Sequence, residues 1–507
     1  MLFGGASAAR VEHAEEPAYF GDLNLDQIVA AIAYRKDAYE LPPFFHAPLS
    51  DVEAIRFRQQ VFSDLERPEV RALADAFAAR KLVERHRSEQ RSMRDDAGDY
   101  AHHHRTRGFL NAVVIYCGTV ESLTEGLHAT EVRSRALRGL RDRLDGYIGG
   151  ELFTTLRDEA STLDAELDRV GYSVLLRGLR ITVAPYEERP DYSAEVAATF
   201  DRFRQADRVD ESADLRDWET YLPLGVLDLV ARNHRDLFGR LDAFCERHRD
   251  YLDPTVELLD RELQFYLGYL EYIAPLRAAG LPFSLPRVSA EDKCEQALDT
   301  FDLALAAKRG SDAGGVVRND VRLDGCERTL VITGPNNGGK TTLARAIGQL
   351  HHLARLGCPV PGRDTRLFLC DRILTRFERR EDIATLSGKL QDELHRIRDA
   401  FSEATGDSLF IFNEMFSSTT ARDALWLSQQ ILGKVRELDA LCVCVTFLDE
   451  LTTLDDRTVS MVSTVDPEDP AVRTYRVVRR VADGRAYARA IAEKYGLTYE
   501  QLSGSEG

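Results

Sequence analysis

The stretch LVITGPNNGGKTTLARAIGQL, residues 330–350, decides how the C-terminal part of this chain is read. Apolar and β-branched residues run into a glycine cluster, which gives way to a lysine, two threonines and a helical pattern. Gly334-Pro335-Asn336-Asn337-Gly338-Gly339-Lys340-Thr341 fits the spacing G-x-x-x-x-G-K-[ST]. The chemistry follows from the residue types. Gly334, Gly338 and Gly339 let the backbone turn its N–H groups inward, and these donors bind phosphate oxygens together with the N-terminus of the next helix. Lys340 neutralises β- and γ-phosphates, and Thr341 offers a hydroxyl to Mg²⁺. The plainer alternative is a glycine turn with a chance lysine. Strand, loop and helix all agree with the phosphate loop.

Working outward, strand-like runs alternate with helices: TLVITG, then SLFIFNEM, then LCVCVTFL. That alternation predicts an α/β domain with a largely parallel sheet. Cys442 and Cys444 fall on one face of the last of these runs and read as core. Upstream, from about residue 20 to 285, apolar residues recur at three- and four-residue spacing, as in LDQIVAAIAYRKDAYEL and TVELLDRELQFYLGYLEYI. This predicts an extended helical module, with YSVLLRGLRITVAP (172–185) as the exception that includes a strand. The two prolines of LPFSLPRVS (281–289) mark a boundary. The expected organisation is a loose tail over 1–19, a helical core and lever domain over 20–285, and an α/β domain over 286–507.

Composition narrows the function classes. The chain has 507 residues, 44% hydrophobic and 30% charged, and no apolar run long enough to span a bilayer. Its start lacks the basic and apolar regions of a secretory signal. Eight cysteines are scattered without a C-x-x-C pair, which suits a reducing, cytoplasmic setting with neither disulfide framework nor zinc site. The formal net charge of −18 does not advertise nucleic-acid binding, so any DNA contact must come from local patches or an enclosing clamp.

A second strand ends at Asn413-Glu414. A nucleotide-hydrolysing site usually has Asp-Glu here, the Asp holding Mg²⁺ through its water shell and the Glu polarising the attacking water. Asn413 accepts a hydrogen bond from a metal-bound water but carries no charge; the alternative is that Asn413 and Glu414 only cap the strand.

These segments resemble the MutS family, the ABC-type ATPases of DNA mismatch repair. VVRNDVRLDGCERTLVITGPNNGGKTT is similar to that family's nucleotide site, and LGCPVPGRDTRLFLCDRILTRFERREDIATLSGKLQDEL to the segment leading to its signature region. SLFIFNEMFSSTTARDA resembles its Walker B strand and loop, CVTFLDELTTL the strand that follows, and VADGRAYARAIAEKYGL its closing segment. APLSDVEAIRFRQQVFSDL (47–65) resembles the family's core domain. The resemblance implies an α/β P-loop ATPase domain of the ABC type preceded by a mostly α-helical core and lever domain. It implies ATP and Mg²⁺ as cofactors, an ATP-binding set running from Gly334 to Thr342, Thr341 and Asn413 at the metal, and Glu414 as the catalytic residue. It also implies a homodimer in which Ser387 of one subunit reaches ATP held by the other, with FSSTT (416–420) nearby. DNA, duplex or branched, is the implied partner.

Departures from the family pattern carry expectations of their own. The mismatch wedge, the connector domain and an endonuclease-like C-terminal module have no counterpart in the sequence. The strand that would end in Thr-His reads Thr446-Phe447, and Phe cannot donate to a γ-phosphate. Ser387-Gly388, followed by Lys389, Leu390 and Glu393, is the nearest match to the signature serine and helix start. Losing a metal-associated carboxylate and a γ-phosphate donor costs a few kcal/mol each at the transition state, and each ~1.4 kcal/mol is tenfold in rate. Slow hydrolysis with intact ATP binding is therefore expected.

Two basic stretches bear on DNA. Residues 80–107 hold eight Lys/Arg against five Asp/Glu, and RSRALRGLRDR places Arg133, Arg135, Arg138, Arg141 and Arg143 against one Asp. On a helix these arginines spread around the axis, so a solvated face and a phosphate-contacting lever are both open. His102, His103 and His104 are consecutive, about 100° apart on a helix, and are not expected to converge on a metal. The preferred reading is a dimeric, ATP-driven DNA clamp. One alternative is a nucleotide-dependent switch acting on a protein partner without DNA; a weaker one is a degenerate ATPase serving as a structural dimer.

Overall fold

The strand that feeds the glycine loop, β1 (Thr329–Thr333), is buried along its whole length in a six-stranded sheet. The computed structural model describes residues 2–3, 12–94, 102–177, 180–186, 224–377, 388–469 and 472–482. The other strands are β2 (Ile373–Arg376), β3 (Leu409–Asn413), β4 (Leu441–Val445), β5 (Thr458–Val465) and β6 (Arg473–Arg479). Their order is β2-β3-β4-β1-β5-β6, parallel except for the antiparallel edge strand β6. The central strands read as apolar runs because both faces are covered, as parallel sheets require. Cys442 and Cys444 on β4 lie in the core with Phe410, Phe412 and Val331, as their spacing predicted.

The first strand of this sheet, β1, sits between β4 and β5: the chain leaves β1 toward the β2 edge, whereas it leaves β4 in the opposite direction, past β1 to β5. Crevices at the carboxyl ends of strands beside such a reversal are where ligands bind in open α/β sheets. The loop Gly334–Gly339 lies at that end of β1 and leads into helix α1 (Lys340–Arg355).

Helix α1 is buried nearly all round, including Gln349, His351, His352 and Arg355. Its outer wall comes from the start of the chain. Gln349 donates to the Leu23 carbonyl at 2.8 Å and to Asp302 Oδ1 at 2.9 Å, and accepts from Leu303 N–H at 2.8 Å. Arg345 donates to the Asp22 carbonyl at 3.0 Å, and Thr375 Oγ1 donates to Asp22 Oδ2 at 2.6 Å. A side chain at Gly348 would meet Leu23 Cδ2 at 2.6 Å. Polar groups this deep need partners, and the backbone of residues 22–23 supplies them.

By internal contact the chain divides into two units. One holds residues 1–71, 132–139 and 261–507; the other holds 72–131 and 140–260. The sequence-based cut near residue 285 places residues 20–71 with the helical module, whereas here they group with the C-terminal sheet. Within the stretch read as a loose tail, Leu2 and Phe3 are buried, and the Phe3 ring meets Phe44 and Phe265 edge-on at 4.9 and 5.1 Å. The cause is long-range: the partners lie dozens to hundreds of residues away, where local pattern has no view.

The second unit is built on the long helix His102–Ala129, which buries Phe109, Leu110, Val113, Tyr116, Val120, Leu123 and Leu127 at helical spacing. Each such side chain contributes roughly 1.5–3 kcal/mol on burial. Helix Glu151–Asp168 presents Phe153, Leu156, Ala160 and Leu163 as a matching stripe. Polar ties close the edges: Arg107 to Asp164 at 2.7 Å, Arg240 to Glu166 at 2.6 Å, and Arg247 and His248 both to Glu159, at 2.8 and 2.9 Å. The predicted strand region is a hairpin, Tyr172–Arg177 antiparallel to Arg180–Pro185. Among the described residues no helix is long and apolar enough to cross a membrane.

Candidate functional site

The loop takes its shape from close contact with β5. Gly334 has φ +119°, and a Cβ there would meet the Ser463 carbonyl at 2.8 Å, so only glycine fits. Ser463 Oγ donates to the Gly338 carbonyl at 2.6 Å, which ties the far side of the loop to the same strand. Gly339 caps α1 at φ +90°. Arg473 on β6 donates from Nε to the Asn336 carbonyl at 3.1 Å, beside Asn337 in the left-handed region at φ +57°.

Lys340 opens α1. Its ammonium donates to the carbonyls of Gly334 and Pro335 at 2.9 and 3.0 Å. Burial pulls its pKa down to about 8; the Glu414 carboxylate works against that fall and Arg473 adds to it. Phe447 lies across the loop, its ring centroid 4.2 Å from Nζ and the residue half exposed. This is a cation–π contact. The preceding Thr446 is buried and donates its N–H to the Ile332 carbonyl at 3.1 Å, which places Phe447 at the mouth of the loop.

Thr341 Oγ1 donates to Asn413 Oδ1 at 2.8 Å, so the two residues read as a metal pair do meet at the ends of α1 and β3. Both are neutral oxygen donors. Mg²⁺ accepts oxygen ligands and keeps several waters, and one hydroxyl with a carbonyl acceptor beside it suits that chemistry. Glu414 follows with φ +57°, its N–H donating to the Val445 carbonyl at 2.9 Å. The turn after it is held by Glu393 on α2 (Lys389–Glu403), whose Oε1 accepts from Phe416 N–H at 2.7 Å. Glu414 therefore sits on a backbone bonded to the neighbouring strand, at the same edge of the sheet as Lys340.

Gly334 through Thr342, Asn413, Glu414 and Phe447 are all at or next to this edge. Ser387 lies outside the described residues. Ser463 and Arg473 escaped the sequence reading, because they belong to strands far along the chain. The sequence held little signal: β5 reads TVSMVSTV, and nothing in that mixture of Ser, Thr and apolar residues marks Ser463 as the wholly buried one.

Several arginines of the basic stretches are engaged with the protein itself. Arg135 pairs with Glu53 at 3.3 Å, Arg138 donates to the carbonyls of Ser134 and Arg133, and Arg141 meets Asp142 at 3.4 Å. Arg87 pairs with Glu257 at 3.7 Å and Arg107 with Asp164 at 2.7 Å.

A parallel-rich sheet with a glycine loop and helix N-terminus at its switch point defines a mixed α/β domain suited to holding phosphate. Comparison gives that domain a family: residues 330–504 match MutS domain V, the ATPase domain of MutS proteins. The DNA mismatch repair protein MutS of Shouchella clausii is 32% identical over 198 residues, 38% of this chain and 23% of that protein. The MutS proteins of Halalkalibacterium halodurans and Leuconostoc citreum are 31% and 30% identical over 189 and 196 residues, 36% and 38% of this chain and 22% and 23% of theirs. Through this C-terminal region the chain is similar to MutS proteins. Its matched region covers less than a quarter of the length of these relatives.

Proposed function

We propose that the chain is an ATP-binding, DNA-directed member of the MutS family, whose ABC-type P-loop domain binds ATP strongly and hydrolyses it slowly. The observation that carries this is the meeting of Lys340, Thr341, Asn413 and Glu414 at one edge of the parallel sheet. Backbone N–H groups of the loop from Asn336 to Thr342 hold the β- and γ-phosphates, and Lys340 exchanges its two loop carbonyls for phosphate oxygens. Mg²⁺, when bound, would supply charge neutralisation. Thr341 would ligate it and Asn413 would orient a water in its shell. Glu414 orients the attacking water.

Neutral Asn413 and apolar Phe447 stand where charge and a donor would speed phosphoryl transfer. Two copies pair so that Ser387 of each completes the ATP site of the other, and ATP-driven movement closes helical arms around duplex or branched DNA. No mispair wedge is needed for a clamp of this kind.

Calorimetry on Lys340→Ala tests the first step. Loss of one buried charge-assisted contact, worth about 1.5–3 kcal/mol, weakens ATP binding roughly 10- to 100-fold. Unchanged affinity would remove the loop from the function. Under single turnover, Glu414→Gln lowers hydrolysis roughly 10²- to 10⁴-fold; equal rates would exclude Glu414. Gel shifts with duplex, mismatched and junction DNA, with and without ATP, address the clamp, since phosphate contacts weaken steeply with salt. The arginine pairings and the −18 charge favour one rival, a nucleotide-dependent switch acting on a protein partner. Failure of every DNA to bind at low salt would select it.

A further inference from the structure

Outside the nucleotide site, the helical unit gathers a second set of ligating groups. One nitrogen from each of His102 and His103 and one carboxylate oxygen of Asp242 all lie within 4.8 Å of one another. His102 Nε2 is 2.9 Å from Asp242 Oδ1, and the two imidazole rings stand 5.2 Å apart at 64°. Consecutive helical residues were not expected to converge. Both lie on the helix His102–Ala129, where their ring nitrogens nonetheless come together beside Asp242.

A further carboxylate faces the same place. Asp228 Oδ1 is 3.9 Å from His103 Nε2. That oxygen and His103 Nδ1 are both buried and have no hydrogen-bond partner among the described residues. Buried polar atoms without partners are uncommon and call for an explanation. The Phe238 ring, 5.0 Å from His103 and edge-on to it, walls one side. The acidic groups come from two further helices, Leu224–Asn233 and Arg235–Arg247.

We propose that His102, His103 and Asp242, with Asp228 as the fourth ligand, form a site for a late first-row divalent cation, Zn²⁺ in kind. Bonds of about 2.0–2.2 Å put tetrahedral ligands roughly 3.3–3.5 Å apart. The His102–Asp242 pair is already inside that spacing, the third atom of the trio lies within 4.8 Å of both, and Asp228 stands 3.9 Å from His103, so side-chain rotation is what brings the set onto one ion. Two imidazoles with two carboxylates suit Zn²⁺ and its neighbours and are poor partners for Mg²⁺ or Ca²⁺. The ion acts as a staple: it joins the start of the 102–129 helix to the two helices that carry the acids. Binding to the folded unit alone raises its stability by mass action.

The test uses untagged, full-length, chelator-stripped protein without nucleotide, titrated with Co²⁺. The expected result is one Co²⁺ per chain with the intense visible bands of four-coordinate Co²⁺, displaced by Zn²⁺, and a Zn²⁺-dependent rise in thermal midpoint. His103→Gln and Asp242→Asn each weaken uptake by at least about tenfold, with far-UV circular dichroism unchanged. Should either variant fail to fold, the wild-type stoichiometry, spectrum and midpoint decide alone. Pale octahedral spectra, no uptake, or unchanged affinity in folded variants would overturn the site.

Discussion

Lys340 links a proton to a ligand. Its pKa near 8 means that part of the population loses the ammonium just above neutrality, and bound phosphate charge raises that pKa again. Binding ATP therefore takes up a proton as pH passes 8. Affinity is flat below about pH 7 and falls above 8, approaching tenfold per pH unit. Calorimetry across that range checks this, and Lys340→Arg, which stays charged, is expected to abolish the slope. Asn413 offers a complementary prediction. Asn413→Asp keeps the oxygen that accepts from Thr341 and adds the missing charge, so hydrolysis rises about tenfold or more at saturating Mg²⁺. A rate no faster than wild type in single turnover would mean that charge at this position is not limiting. These residues were legible in the sequence because a strand, a glycine loop and a helix start are all local. The roof that Phe447 forms over Lys340 was not. Its identity was visible, but its ring position depends on pairing between distant strands.

At the scale of elements, α1 is fastened by a buried ion pair to a strand of a separate four-stranded sheet. His351 Nε2 is 3.0 Å from Glu295 Oε1 on the strand Glu295–Thr300, and Cys370 Sγ is 3.8 Å from Nδ1. Burial alone would lower the His351 pKa, but the Glu295 carboxylate and the hydrogen-bonded thiol outweigh it and bring the pKa to about 10. A folded value above the ordinary 6.5 means this stabilisation is complete below about pH 6.5 and is lost as pH rises through 10. Denaturation midpoints should decline over that window, and Glu295→Gln should flatten the decline; an unchanged slope in the variant would put the pH dependence elsewhere. Element types were readable from periodicity, and β1, β3 and β4 sit where apolar runs predicted strands. Their order was not readable, because nothing local says that the first of them lies in the middle. The closeness of His102 and His103 to Asp242 was not readable either, because Asp242 lies 140 residues beyond His102 in the chain.

For the whole molecule, contact grouping changes what a stable piece of this chain is. Residues before Arg71 cover α1, supplying Leu23 as packing and the backbone of residues 22–23 as hydrogen-bond partners. A fragment cut at the proline-rich boundary, 286–507, leaves Gln349 and Arg345 without these partners and the apolar side of α1 bare. It is expected to aggregate or melt well below the full chain in a thermal scan. A fragment of matching stability would show that the early residues are dispensable.

The same attachment gives the molecule a tripwire. Asp22 is bonded to the helix that begins at Lys340 and to β2 at once, and its neighbour Gly21 is exposed with open space around it. A reporter dye carried on Gly21→Cys would sit outside the pocket yet next to the residue that is bonded to the helix leading from the loop.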